Sequence, residues 1–441
     1  MPIFGVELGI ASVIAIIVLI YCGVYVAVGL GMVSFIGVWL YRGNIDVAIN
    51  LLAEAAADSV AHEVFSTVPL FALMGILASE IGLGGDAYQV AYQLFRRVRG
   101  GLGIATVAAN ALFASITGSS IASASVFTRI SVPEMLRYGY TKRFSVGVVA
   151  GSSVLGMLIP PSAMLIIYAI VTEQSVGKMF LAGFIPGILL AIAYGVAILA
   201  MAYITPRFVG GTVRDQDEAT ITPLMGWSEI FWKLMPILAL VLVVLGGIYN
   251  GFFTPEEAGA AGSLGALVIG LLKRRITWKG LWRVLVETGH ITAAILFLII
   301  AASMYSRMLG VAALPTMFGE WLGSLNIGLT GLLVIYVVLL IALGTIIDTA
   351  SIILIVVPLF LTAVEALGGD IIWFGIVTVI GAEIGLLTPP LGISCFTIKS
   401  TLNNPDITLK DIFAGAFPFA LIMLAVLIVI IAFPRLSLML V

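Results

Sequence analysis

With 61% hydrophobic and 10% charged residues and a mean hydropathy of +1.20, this chain of 441 residues lies far outside the soluble range, where about a quarter of residues are charged. A net charge of −2 argues against a nucleic-acid partner, and the two cysteines, Cys22 and Cys395, sit in separate apolar runs and suggest no disulfide framework. The composition is that of an all-α polytopic membrane protein whose solvent is the lipid bilayer.

In chain order, residues 1–7 lack a basic leader and the charge-free run 8–41 is too long for a cleavable signal, so two spans with a turn near residues 21–23 are expected. Apolar runs of about 20 residues place further spans near 64–83, 144–170 and 182–205, then near 230–249, 256–272, 290–309, 371–398 and 411–433. Half-length pieces flank Gly118 and Gly344. Polar residues cluster in one linker, 207–227, which carries Arg214, Asp215, Asp217 and Glu218 and divides the chain near its middle. Residues 44–62, 277–290 and 85–99 mix apolar positions at helical spacing with charges and are expected along the membrane surface, as bracing arms or as ordinary connectors. His62 and His290, at span edges, read as interfacial.

Two spans cannot be continuous helices. Pro160-Pro161 and Pro389-Pro390, 229 residues apart, each interrupt an apolar run; adjacent prolines remove backbone donors and push the preceding residue out of helical space. Each span is therefore two half-helices joined by extended backbone, which lipid tolerates only where protein or a polar cavity satisfies the freed groups. Such breaks in both halves of a chain point to a transporter's binding site. The flanking sequences align, down to the AG pairs Ala182-Gly183 and Ala414-Gly415. Five spans plus a re-entrant hairpin in each half give an odd number of crossings, hence two inverted repeats. The expected division is a first repeat over 1–206 (scaffold spans within 1–83, hairpin 101–130, broken helix 144–170), a linker at 207–228 and a second repeat over 229–441 (hairpin 328–364, broken helix 371–398). With the amino terminus outside and the linker cytoplasmic, only Arg42, Lys178, Arg307 and Arg435 of the 21 Lys and Arg residues fall on the outer side, as the positive-inside rule requires.

The chemistry is expected at the hairpin turns and the proline breaks. Residues 114–125, ASITGSSIASAS, place six hydroxyl side chains around Gly118, and residues 342–351, ALGTIIDTAS, carry Asp348. Helix amino ends favour an anionic group, whereas unwound carbonyls with Ser or Thr oxygens suit Na⁺. Ser115, Ser119, Ser120, Ser123 and Ser125 also have the plainer reading of helix-packing groups. Asp348 is an intramembrane carboxylate and so a functional candidate, with a structural acceptor as its other reading; Glu383 is a second charged site or a local partner. Walker A, HExxH and GxGD motifs are absent, which leaves an ion gradient as the energy source and no enzyme activity.

The hairpin TGSSIASASVF (117–127), RYGYTKRFS (137–145), IPPSAMLIIYAIVTEQSVGKMFLAGFIPG (159–187), DTASIILIVVP (348–358) and GLLTPPLGISCFTIK (385–399) together resemble the large membrane subunit of a TRAP transporter, the DctM-like family, over about residues 5–434. The resemblance implies scaffold and transport domains, Na⁺-coupled import by an elevator movement, a small membrane subunit and a periplasmic binding protein that delivers an organic acid in a bacterial inner membrane. It places substrate contacts at Ser119, Ser120, Ser123, Pro161, Ser162, Asp348, Thr349 and Ser394, and Na⁺ at Ser115, Gly118, Gly344, Thr345, Thr388, Pro389 and Gly392. Many family members have an acidic residue where this chain has Ser123 or Ser125, and Asn where it has Ser394, so the substrate is left unassigned. A stand-alone anion or dicarboxylate carrier of the same fold is the other reading.

Overall fold

Hydrocarbon offers no partner to a backbone amide, so long apolar runs resolve into helices. The computed structural model describes residues 2–61, 63–211, 225–324, 327–402 and 404–441. His62 and the charged centre of the linker, with Arg214, Asp215, Asp217 and Glu218, lie outside the described residues.

The first half comprises α1 (Pro2–Tyr21), α2 (Val26–Arg42), α3 (Ile45–Ala61), α4 (Thr67–Glu80), α5 (Leu83–Phe95), α6 (Gly101–Thr117), α7 (Ser120–Arg137), α8 (Lys142–Leu158), α9 (Ala163–Val171) and α10 (Val176–Ile204). The second comprises α11 (Trp227–Tyr249), α12 (Pro255–Leu272), α13 (Trp278–Val311), α14 (Leu314–Ser324), α15 (Gly328–Gly344), α16 (Thr349–Ala366), α17 (Ile371–Leu386), α18 (Ile393–Leu402) and α19 (Leu409–Ala432). Five of these, α10, α11, α13, α16 and α19, are long and apolar enough to cross a membrane. Two bent pairs pass the same test jointly: the α4 segment with α5 at 62°, and α8 with α9 at 43°. The protein is an all-α, multi-pass membrane protein.

Local sequence sets the helix ends. Thr254 and Glu257 form a capping box that starts α12, with Pro255 in the first turn, and Thr408 with Asp411 does the same for α19. The proline-interrupted helices form the centre: every residue of α17 from Ile372 to Leu386 is buried, as is α8 from Phe144 to Leu158. Around them, Tyr336 packs on Phe374 with ring centroids 4.6 Å apart, and Tyr194 on Phe419 at 5.5 Å.

Three sequence expectations change. The stretch 277–290 is no separate surface helix: α13 runs unbroken for 34 residues, because nothing between Glu287 and Ala293 stops it. The hairpin pieces are not half-length; α6 and α7 have 17 and 18 residues, so at 1.5 Å rise each limb is about 26 Å long. Helix α14 occupies a segment to which the sequence reading assigns no element. Residues 44–62 and 85–99 do hold the separate helices α3 and α5. Both are tied to neighbouring helices by charge. Arg307 on α13 bridges Glu54 (3.1 Å) and Asp58 on α3, while Asp86 on α5, 3% exposed, accepts from Lys273 (2.7 Å) and Arg275 (2.9 and 3.2 Å) beyond α12.

Candidate functional site

Each hairpin tip is hydrogen-bonded to the proline break of its own half. At the first tip Gly118 ends α6 with φ 58°, and its carbonyl accepts the amide of Ala163 just past the break (3.2 Å). A Cβ at Gly118 would lie 2.6 Å from the Pro161 carbonyl, so only glycine permits the turn to approach this closely. Ser119 is extended and caps α7 by accepting the Ala122 amide (3.3 Å). Ser162 caps α9, accepting the Leu165 amide (3.4 Å), and its hydroxyl donates back across the break to the Met157 carbonyl. Pro161 is buried beside it.

At the second tip Gly344 ends α15 against α17, where a Cβ would meet the Ala382 carbonyl at 2.6 Å. The Thr345 carbonyl accepts two amides from the second break, Leu391 (3.1 Å) and Gly392 (3.3 Å). Gly392 has φ 46°, and Pro389 is exposed. Two hydroxyls here bond back to their own chain: Thr345 to Ala342 (2.8 Å) and Thr388 to Ile384 (2.7 Å).

Asp348 is the N-cap of α16, its carboxylate accepting the amide of Ser351 (3.1 Å) and the hydroxyl of Ser351 (2.5 Å). It is half-buried, so one role visible in the geometry is the structural acceptor that the sequence left open. Glu383 is completely buried; Thr349 donates to its Oε1 at 2.7 Å, and its Oε2 has no partner among the described residues. This joins the second tip to the helix preceding the second break, as the local pairing raised for Glu383.

The hydroxyls divide into two sets. Ser115 donates to the Leu112 carbonyl (2.7 Å), the packing behaviour of a helical serine. Ser120, Ser123 and Ser394 are fully buried and have no partner among the described residues. Ser125 is half-buried. A buried hydroxyl without a partner is costly, and three of them lie at or within a turn of the tips and breaks, though Thr128, Thr288 and Ser437 elsewhere share the condition among the described residues.

Tips and breaks from the two halves also interleave. Helix α18, which follows the second break, packs on α7 of the first hairpin, and α9, which follows the first break, packs on α16 and α17 of the second half. Four helix amino ends, those of α7, α9, α16 and α18, thus begin at tips and breaks. A feature absent from the sequence reading is the buried link from Asn110 on α6 to Ser152 on α8 (2.6 Å). A lone amide in the apolar run AANAL was its only signal.

Paired hairpins and broken helices joined in this way, in a chain of apolar spans, define a solute transporter of the membrane. The family described as "Tripartite ATP-independent periplasmic transporter, DctM component" matches residues 13–436. A C4-dicarboxylate TRAP transporter large permease protein DctM of Pseudomonas aeruginosa is 34% identical over 393 residues, 89% of each chain. A sialic acid TRAP transporter large permease protein SiaM of Vibrio cholerae is 29% identical over 399 residues, again 89% of each. The solved YdaH transporter of Alcanivorax borkumensis shares the fold with a TM-score of 0.62, over 89% of this chain and 90% of its own, at 14% identity. The chain belongs to the DctM family of TRAP transporter large permeases, as its motifs suggest.

Proposed function

We propose that this chain is the transport subunit of a Na⁺-coupled, binding-protein-dependent importer of an organic acid in a bacterial inner membrane. One observation carries the reading: two hairpin tips, each bonded to its own proline break and interleaved with the other half, whose helices carry Ser120, Ser123 and Ser394, three buried hydroxyls without partners among the described residues. The named relatives, for C4-dicarboxylates and for sialic acid, support a carboxylate as the substrate class.

In this reading the two halves are inverted repeats, and the hairpins with α8–α9 and α17–α18 move as one body against a scaffold that includes α1, α2, α11 and α12. Ser119, Ser120, Ser123, Ser162, Thr349 and Ser394, with the backbone at Pro161, receive the organic acid. No Lys or Arg lies in either tip, so helix amino ends supply the positive potential. Na⁺ binds carbonyl and hydroxyl oxygens around Ser115, Gly118, Gly344, Thr345, Thr388, Pro389 and Gly392. Hard oxygen donors of this kind fit a hard cation. A small membrane subunit and a periplasmic binding protein complete the assembly, with the amino terminus on the periplasmic side.

The test is uptake by proteoliposomes holding this chain and its small subunit, under an inward Na⁺ gradient, with and without binding protein loaded with a labelled organic acid. Uptake that needs both Na⁺ and the binding protein is expected. Uptake with Na⁺ alone would identify a stand-alone carrier of the same fold, and uptake indifferent to Na⁺ would remove the coupling.

A further inference from the structure

The start of α13 sorts its residues into three faces. At 3.6 residues per turn, Gly280, Val284 and Thr288 fall on one side and are buried against the protein. Trp278 (81% exposed), Trp282 (65%), Leu285 and Val286 fall on the second, an apolar side that no described residue covers. Lys279 and Arg283 fall between them on an exposed third side, with Glu287 one turn further on, and exposed Arg274 lies in the preceding loop.

The same end of the molecule lies at a membrane boundary. Helix α11 runs out from the linker, α12 returns beside it, and α13 therefore begins at the level where α11 began. Trp227 (85% exposed) and Trp232 (70%) lie at that start, so four of the chain's seven tryptophans ring this end, the expected place for an aromatic belt.

The charge is unevenly used. Lys273 and Arg275 turn inward and are neutralised in part by Asp86, and Arg283 makes only a long contact with Glu80 (3.6 Å). Among the described residues Arg274 and Lys279 have no ion pair. Two cations without an ion pair among the described residues, and a weakly paired third, stand beside two exposed indoles that belong in the headgroup layer.

We propose that Arg274, Lys279 and Arg283, flanked by Trp278 and Trp282, bind the headgroup of an anionic phospholipid. The phosphodiester meets the three cations, the acyl chains run past the indoles and Leu285, and the inward pair Lys273 and Arg275 holds the loop in place through Asp86. The site requires only that the chain spans a membrane, and it is independent of the transported solute.

The test uses purified full-length chain in phosphatidylcholine nanodiscs containing either brominated phosphatidylglycerol or the same mole fraction of brominated phosphatidylcholine. Quenching of Trp278 and Trp282 is taken as the difference between the wild-type chain and its Trp278→Phe/Trp282→Phe variant. Since each cation near a bilayer surface favours anionic lipid several-fold, the glycerol lipid should quench the pair at least about twofold more at equal mole fraction. Arg274→Gln/Lys279→Gln, which leaves the Arg283–Glu80 contact and the buried Asp86 cluster intact, should abolish that excess. Lys178→Gln, remote from the site, should not. Equal quenching by the two lipids in the wild-type chain would overturn the site, as would an excess that persists in the double variant.

Discussion

Around the first proline break, residues 151–162 are buried without interruption, whereas around the second Pro389, Pro390 and Leu391 are exposed, Leu391 at 44%. The long helix after each broken span, α10 or α19, bears on the difference. In the first half Gly183 of α10 lies against the Leu158 carbonyl, where a Cβ would come within 2.6 Å, so α10 covers its own break. In the second half Gly415 of α19 lies instead against the Arg143 carbonyl at the start of α8. The two AG pairs, alike in sequence, thus serve different contacts. One covers a break and the other clamps the opposite half, while α19 meets its own break through Phe413 beside Gly392 and leaves Pro389 to Leu391 exposed. In the transport cycle proposed above, a site open to one side at a time would call for such an inequality in any single conformation.

The sharpest way to break the comparison is at the tips, where both halves are equally tight. Gly118→Val combines a positive φ with a backbone clash at Pro161, and Gly344→Val clashes at Ala382. Left-handed backbone alone costs about 1–2 kcal/mol for such a residue. Uptake by either variant should fall to background in the proteoliposome assay. Gly139→Ala, also at positive φ (83°) but with nothing within 4 Å of the added Cβ, should retain uptake with a small loss of thermal stability. Loss of uptake there too would mean that close approach is not what the tips require.

Asp348 comes next, because it separates capping from charge. Asp348→Asn keeps a good N-cap for α16 and removes the charge, whereas Asp348→Ala removes both, with a capping loss of about 1 kcal/mol. If the carboxylate serves transport, both variants lose uptake while the asparagine chain melts close to wild type. Full uptake by Asp348→Asn would reduce the residue to a cap.

Much of this was legible in the sequence, for identifiable reasons. Adjacent prolines and a Gly-centred hydroxyl run break an apolar span whatever surrounds them, so both breaks and both tips fall where the residues place them. The amphipathic helices α3 and α5 were equally visible as periodic charge in apolar surroundings. What could not be read was pairing over distance. Asp86 and Arg275 are 189 residues apart, and Thr349 and Glu383 are 34 apart, joined only because α16 and α17 pack together. The continuity of α13 was hidden because an amphipathic stretch and an apolar stretch can share one helix when no stop signal separates them.

A tenfold effect should appear in accessibility. In a Cys22→Ser background, with Cys395 left in place because it is buried, Leu391→Cys should react with a membrane-impermeant maleimide at least about ten times faster than Ser162→Cys, since thiol modification follows exposure. Adding Na⁺ and substrate should narrow the ratio if the second break closes during the cycle. Equal rates at rest would mean that the two breaks are equally accessible.

The smallest effect concerns the side-chain link between the second tip and its broken helix. Thr349 donates to Glu383 Oε1, and Oε2 has no partner among the described residues, so Thr349→Val would leave both oxygens of a buried carboxyl group unbonded. Leaving a buried polar group unsatisfied costs about 1–3 kcal/mol. Glu383→Gln, in contrast, keeps an oxygen to accept from Thr349. Thermal unfolding in detergent should therefore fall by a few degrees in Thr349→Val and much less in Glu383→Gln, and the double variant should lose less than the sum, because the two residues share one contact. A strictly additive double variant would show that the hydrogen bond does not couple the tip to the broken helix. Among the described residues the second tip and its break would then be joined by the Leu391 and Gly392 amides alone, as the first pair is by the amide of Ala163.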